Sequence, residues 1–515
     1  MKRLYFAAFA AFAASAAFAG RPVAKWDVVP YQRVEGVFKA GVVAFHEKSV
    51  KVEFSVDGKK AFTAEAPTLN DRTGVWEFVF PFDAAKFKDG PVTLGAKAVA
   101  ETGESYSLPP LSMYANAGKT LGSDKIAWVD PKNGNEFSTG LSREQAVKTI
   151  RQAVQKAGDG GTVYLLPGDY QARMIGGGKA RKYWTLLTPA PGVERSQVKF
   201  SRGRTGTDKL IFRNVELYCD CADGDSSIIL GEGGKSVAWF DNCRFYNKQG
   251  RHGGNTSLFG NRLHAYITGG VTEDIGNGPC CEFVRGHEIR NIACDAFTYN
   301  GCLVVNCTVD GIDAGAGAAF DPDLFNGFAV APKWCEDNIL YNVKATNCRC
   351  RGLSGQRLRN SAFVNVVFQG TGGDLVYSRF SEDMDNVLFA HMTLVDQKWQ
   401  WMQTKNGRGD FKPKDVRFLN CVMKAMEGYE KGDGSTGLLV DRCAWYNRDF
   451  YGKTMEFGVN PVVVERAFAG ESSANFALPP GSPAASAGTA LQCVPADVNG
   501  AEYPSGARPC GAYAK

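Results

Sequence analysis

The chain has 515 residues, with 59 Lys and Arg against 54 Asp and Glu, and 59 glycines. A formal charge of +5 argues against a nucleic-acid-binding arm, and the glycines call for many turns. The length is too great for one ordinary core, so the chain divides into domains or grows as a repeat along one axis.

Residues 1–19 read as a secretory signal peptide. Lys2 and Arg3 precede an apolar stretch from Leu4 to Ala16, and Ala17, Phe18 and Ala19 form a small-residue exit before Gly20. Without Lys2 and Arg3 the basic count falls to 57, near +3 net. No later stretch is apolar for the roughly eighteen residues a membrane span requires, so no membrane span is expected. The working protein is expected outside the cytoplasm, whether secreted, periplasmic or at the cell surface.

From Val37 to Tyr114 short runs alternate apolar and polar residues. Val52, Phe54 and Val56 share one face, Lys51, Glu53 and Ser55 the other, and Asp57-Gly58 is a tight hairpin turn. With further strands at Trp76–Phe80 and Val92–Val99, residues 20–118 predict a small antiparallel β-sandwich without cysteine, which resembles immunoglobulin-like modules. It carries no catalytic constellation, so a spacer or docking role is expected of it.

Ser142 with Gln145 forms a capping-box pattern, and Ala146, Ile150, Ala153 and Ala157 follow at helical spacing before Gly158. The spacing predicts an amphipathic helix over 142–157, suited to cover the first open edge of a parallel solenoid. A strand at Thr162–Leu166 and a turn at Pro167–Tyr170 come next.

Beyond residue 210 a six-residue phrase recurs: apolar, any, Asn, apolar or Cys, any, apolar. It stands at Phe212–Leu217, Phe240–Phe245, Ile289–Cys294, Val304–Val309, Leu340–Ala345, Phe363–Phe368 and Phe418–Met423. Phe389–Leu394 repeats it with His391 in the Asn place, and Val440–Trp445 with Arg442. From Asn306 the polar positions are 36, 23, 26, 29 and 22 residues apart, the length of a solenoid coil plus variable loops. Inward residues of one strand keep an even spacing, yet here the apolar positions are one, four and six, so the parity switches at the Asn. The Asn therefore sits at a bend, where its tolerance of left-handed backbone and its stacking amide both serve.

The 15 cysteines are odd in number, and their spacings are not those of a zinc ribbon. Cys243, Cys307, Cys421 and Cys443 directly follow the bend, where other coils place Val215, Ile292, Val343 and Val366, so they are expected to point inward as small hydrophobes. Cys421 and Cys443 occupy equivalent places in adjacent coils about 4.8 Å apart, so both a bond and a thiol pair are open there.

With these coils, the helix, and the YLLPGDY strand and turn at 164–170, residues from about Ile126 to Tyr513 resemble the pectate-lyase-like superfamily. The end also resembles the closing segment of exported β-helix proteins, through SPAASAG at 482–488, DVNG at 497–500 and RPCGAY at 508–513. The resemblance implies a right-handed parallel β-helix over residues 119–515, closed from about residue 470, after the sandwich. It also implies a polysaccharide as partner, held along the outer groove of one strand column. In that column fall Asp295, then Asp321 and Asp323, then Arg349 and Arg351, then Tyr377 and Arg379, then Trp399 and Trp401.

That order suits an anionic polysaccharide. Asp295, Asp321 and Asp323 supply hard oxygen ligands for Ca2+, which would neutralise a substrate carboxylate. The adjacent C–H then becomes acidic enough for a base, Arg351 or Arg379, to remove its proton in a β-elimination. Trp399, Trp401, Tyr377 and Arg349 would hold the sugar. Aspartates in DPD and DGID stretches also serve as turn formers, and outward Arg as solvated charge. The alternatives are a glycoside hydrolase using two of the three aspartates, and a noncatalytic polysaccharide-binding or structural rod. The paired Asp and Gly-His-Gly of polygalacturonases are missing: His252 lies in RHGG and His287 in RGHE.

Overall fold

In the computed structural model, the residues described are 20–514 without 119, 172–174, 176–179, 202, 206–208, 221–227, 232–235, 252–258, 260–262, 298–299, 314–317, 321–334, 355–357, 371–375, 379–382, 396–401, 405–411, 425–433, 436, 447–457 and 471–475. Asn214, Asn242, Asn306, Asn342, Asn365, His391, Asn420 and Arg442 all adopt left-handed backbone, with φ between 51 and 55°. They stack at one corner of a parallel β-helix. Before this corner run strands such as Leu210–Arg213 and Ser236–Asp241, and after it strands such as Glu216–Cys219 and Arg244–Asn247. Each pairs in parallel with its equivalent in the next coil, Phe212 with Phe240 and Leu217 with Phe245. Amides bridge the coils: Asn242 Nδ2 donates to Asn214 Oδ1 at 2.7 Å, and Asn365 Nδ2 to Asn342 Oδ1 at 3.0 Å.

Asn291 belongs elsewhere. Its φ of 50° is left-handed too, but Gly286 pairs with the Asn306 position, and Asn291 stands at the following corner with Asp274, Gly311 and Asn347. Any corner between two strands switches parity, so the same phrase marks both. A third left-handed column lies five residues before the first, at Lys209, Gly301, Asp337, Asn360, Asn386, Asp415 and Gly437.

The inward residues make one continuous core. Phe363, Phe389 and Phe418 stack with ring centres 5.0 and 4.3 Å apart, since the same position in successive coils repeats at the strand spacing. Cys243, Cys307, Cys421 and Cys443 are buried in this core as free thiols.

The helix runs Ile150–Ala157, shorter than the expected 142–157. Its N-cap is Thr149, whose hydroxyl accepts from Gln152 N, while the Gln152 side chain caps Thr149 in return. Ser142 accepts from Gln145 N at 3.4 Å, a local turn. Between them Val147 bonds through its backbone to Trp128 and Asp130, so this stretch is committed to the sheet and cannot be helix.

The front domain is a two-sheet sandwich. One sheet is ordered Val23–Trp26, Val37–Phe45, Val75–Asp83, Thr68–Asn70; the other contains Val50–Val56 between Gly90–Ala100 and Lys59–Ala64. Val52, Phe54 and Val56 meet Val42, Phe78 and Phe80 of the facing sheet in one core. This domain lies against the coils: Val43, Phe45 and Val75 share an apolar seam with Trp184, Val305, Tyr341 and Val364. Within the seam Asp27, fully buried, pairs with Arg285 at 2.6 Å. The closing segment covers a different face, where Phe476, Val498, Cys510 and Ala512 lie over Val367, Val395, Val422 and Ala444.

Candidate functional site

The sandwich covers strands before the main corner, and the closing segment covers strands after it in the later coils. Among the described residues neither of them meets the outer face of the early coils after the corner, from Gly168–Gln171 to Leu303–Ile312, where Glu216 and Tyr218 are nonetheless buried. Strand alternation sends Phe200, Leu217, Phe245 and Ile289 into the core and the residues between them outward. Two outward rows result by register. One runs Lys199, Glu216, Arg244, Val271, Glu288, Thr308; the other runs Ser201, Tyr218, Tyr246, Glu273, Arg290, Asp310.

These rows hold a connected polar cluster. Arg244 binds Glu273 at 2.6 Å through Nε and Glu216 at 3.2 Å through Nη1. Glu216 also accepts from Tyr246 Oη at 3.3 Å and lies 3.9 Å from Lys199 Nζ. Tyr218 Oη donates to Asp169. The Tyr218 and Tyr246 rings stack with centres 5.7 Å apart, Lys248 Nζ sits 3.6 Å from the first and the Arg244 guanidinium 4.2 Å from the second. Burial, with Asp169 beside Tyr218 and Glu216 beside Tyr246, holds both phenols above their ordinary value, so they stay neutral donors. Burial alone would lower the Arg244 guanidinium, but its bonds to Glu273 and Glu216 outweigh that and raise it. The result is a fixed array of ring faces, hydroxyls and paired charges, suited to a ligand rich in hydroxyl groups.

Of the residues singled out from the sequence, Asp295, Arg349, Arg351 and Tyr377 are described, and they stand outside the strands that carry this cluster. Asp295 is buried, its N–H donating to Asn277 Oδ1 at 3.2 Å and its carbonyl accepting from Gly278 at 2.8 Å. Arg349 is exposed, 3.4 Å from Asp313, which Arg251 also binds. Arg351 and Tyr377 belong to a separate parallel sheet of Ala318–Phe320, Arg351–Ser354, Val376–Ser378 and Met402–Thr404. There Arg351 pairs with Ala318, and Tyr377 with Ser354 and Gln403, so Tyr377 stands three register positions past Arg351. Asp321, Asp323, Arg379, Trp399 and Trp401 lie outside the described residues. Among the described residues no three His, Cys, Asp or Glu side chains are grouped to hold a metal ion.

No family model matches the chain, and no curated protein matches it. Among solved structures, a Yersinia enterocolitica family 28 exopolygalacturonase aligns with 76% of this chain and 98% of its own at 10% identity and a TM-score of 0.24. The β-helix assignment rests on the strand pairings themselves.

Proposed function

We propose that this protein is a carbohydrate-active β-helix that binds an extended polysaccharide along the outside of its coils. The observation that carries this reading is the Tyr218–Tyr246–Arg244–Glu216–Glu273 cluster on the flank that neither the sandwich nor the closing segment covers. Rungs repeat about every 4.8 Å, so a polymer lying along the axis meets a fresh set of side chains at each one.

For the chemistry, the proposal is β-elimination on an acidic polysaccharide, with Arg351 or Arg379 as base. A noncatalytic platform is the second reading, favoured by one observation: Glu216 and Glu273 are both tied to Arg244. The test incubates purified protein with uronate-containing and neutral polysaccharides, with and without a chelator, reading retention in affinity electrophoresis and absorbance of unsaturated ends. Absorbance supports elimination, and its loss with chelator supports calcium at Asp321 and Asp323. New reducing ends without absorbance mean hydrolysis, and retention without product means the platform. No retention on any polysaccharide overturns the proposal.

A further inference from the structure

Gly20 is wedged between the sandwich and the third corner column. A Cβ built on it would lie 1.9 Å from Asp415 Oδ2, 2.2 Å from Asn386 Oδ1 and 2.7 Å from Arg417 Nη2, so only glycine fits. The tetrahedral Cα then puts its nitrogen within roughly 4.4 Å of the same carboxylate oxygen. The neighbouring atoms are fixed as well. His46 Nδ1 accepts from Lys48 N at 3.0 Å, so Nε2 carries the hydrogen that it donates to Gly20 O at 2.7 Å. Asn386 Nδ2 donates to Arg21 O at 3.0 Å, and Arg21 Nε to Asn360 Oδ1 at 3.1 Å.

Asp385 pairs with Lys414 at 3.6 Å and Asp337 with Arg21 at 3.8 Å. Among the described residues Glu47 and Asp415 share one ion-pair partner, Arg417, at 3.6 and 3.1 Å, and that guanidinium is almost wholly buried, while Lys414 acts on Asp415 from farther away. Asp415 Oδ1 is buried without a hydrogen-bond partner. Burial pushes its carboxyl up to about 6 despite Arg417, with Glu47 and Asp385 adding to the rise. The Asp415 carboxyl thus has a buried oxygen without a partner beside a backbone nitrogen.

We propose that Gly20 is the first residue of the working protein and that its α-ammonium supplies a cation here, bound by Asp415 and Glu47, so that removal of residues 1–19 locks the seam between sandwich and coils. The proposal rests on reading residues 1–19 as a cleaved leader. In a longer chain Gly20 N is an uncharged amide and brings no charge to Asp415 and Glu47.

The test compares two full-length mature forms, one starting at Gly20 and one retaining Ala19. The Gly20 form is expected to melt higher by about 2 °C or more. A carboxylate at ion-pair distance raises an α-amino group by about one unit or more, so the Gly20 amine in the folded protein reacts with an acylating ester about tenfold more slowly than the Ala19 amine. Asp415→Asn should abolish the difference in melting between the two forms. Equal melting temperatures together with equal labelling rates overturn the latch. Mass analysis of the exported chain reads the leader separately: a start other than Gly20 overturns the leader reading and the latch with it, whereas a Gly20 start with equal melting and equal labelling overturns the latch alone.

Discussion

Asn420 Nδ2 donates to His391 Nε2 at 3.0 Å across two adjacent coils, so an imidazole stands where neighbouring coils place an amide. Accepting at Nε2 leaves the hydrogen on Nδ1, which donates to Gly511 O at 3.2 Å. The ring is completely buried and stacks on Tyr503. Burial, with Arg508 adding to it, holds the imidazole down to about 3, and burial holds His287 down to about 4.

A pH dependence follows. The unfolded imidazole titrates near 6.5, so between about 6.5 and 3 the unfolded chain binds a proton that the folded His391 refuses. The stability tied to His391 is therefore complete above about pH 6.5 and drains away as pH falls toward 3. His391→Asn keeps a left-handed residue and an amide in the ladder, and its thermal melts between pH 7 and 4 should decline less steeply than those of the native chain. Parallel declines would show that His391 is not held neutral.

Asn365 makes three side-chain hydrogen bonds at its corner. Its amide donates to Asn342 Oδ1 and to Ala496 O at 2.7 Å, and its oxygen accepts from Tyr503 Oη at 3.2 Å. Asn365→Val forces a β-branched residue to φ 52° and strands three buried partners, at a cost of about 3 kcal/mol or more. Asn365→Gly relieves the strain but not the lost bonds, and should fall between the two in denaturant melts. Equal costs for Val and Gly would mean that the backbone strain contributes nothing.

The main corner was legible because Asn and a parity switch recur together, as at Asn342 and Asn365. The third column was not: Gly301, Asp337, Asn360 and Asp415 share a left-handed backbone but not a residue type. The uncovered flank did leave a trace. The position two after the corner reads Glu216, Arg244, Val271, Glu288, Thr308 and Lys344, then Val367, Thr393, Val422 and Ala444, and the shift from mostly polar to mostly apolar falls where the closing segment begins to cover the coils. Reading that position coil by coil would have pointed to Tyr218 and Tyr246, which need only the alternation of one strand. The column that was chosen instead depended on loop lengths, which one sequence does not fix.

Tyr246→Ala removes a ring from the flank while leaving the core untouched. If a polysaccharide lies there, its retention should weaken by about tenfold, the equivalent of about 1.4 kcal/mol, with the melting temperature nearly unchanged. Unchanged retention would place the ligand elsewhere on the coils.

Cys243, Cys302, Cys307, Cys421 and Cys443 are free thiols, and all the described cysteines but Cys294 are buried. Burial pushes Cys243, Cys302 and Cys307 up to about 12. For Cys443, burial and then its hydrogen bond with Cys421 raise the thiol well above its ordinary value. These buried groups should resist a thiol-reactive dye until the protein unfolds, and a reductant should leave the melting temperature unchanged. A fall in melting temperature with reductant would instead reveal a bond, with Cys421 and Cys443 the first pair to examine.

At the seam, Asp27 Oδ1 accepts from Arg285, while Asp27 Oδ2 and Glu77 Oε2 are both buried and, among the described residues, meet no partner beyond each other's carboxyl. Burial, and then the charge of Asp27, raise Glu77 well above the carboxylate range. Glu77 therefore keeps its proton and donates it to Asp27, while its other oxygen accepts from Asn70 and Thr73 at 2.7 and 2.8 Å. Gly41 makes room, since a Cβ there would lie 2.0 Å from the Glu77 carboxyl. Glu77→Gln retains a donor toward Asp27 and should cost within about 1 kcal/mol, whereas Arg285→Met strands the buried Asp27 charge and should cost about 3–5 kcal/mol. The sign with pH is opposite to that of His391. The folded chain holds a proton that the unfolded carboxyl releases above its ordinary range near 4.5, so this contribution is full at acid pH and shrinks as pH rises. Glu77→Gln, having no such proton, should gain on the native chain between pH 5 and about 8 in denaturant melts, and a constant gap across that range would mean that Glu77 is ionised in the seam.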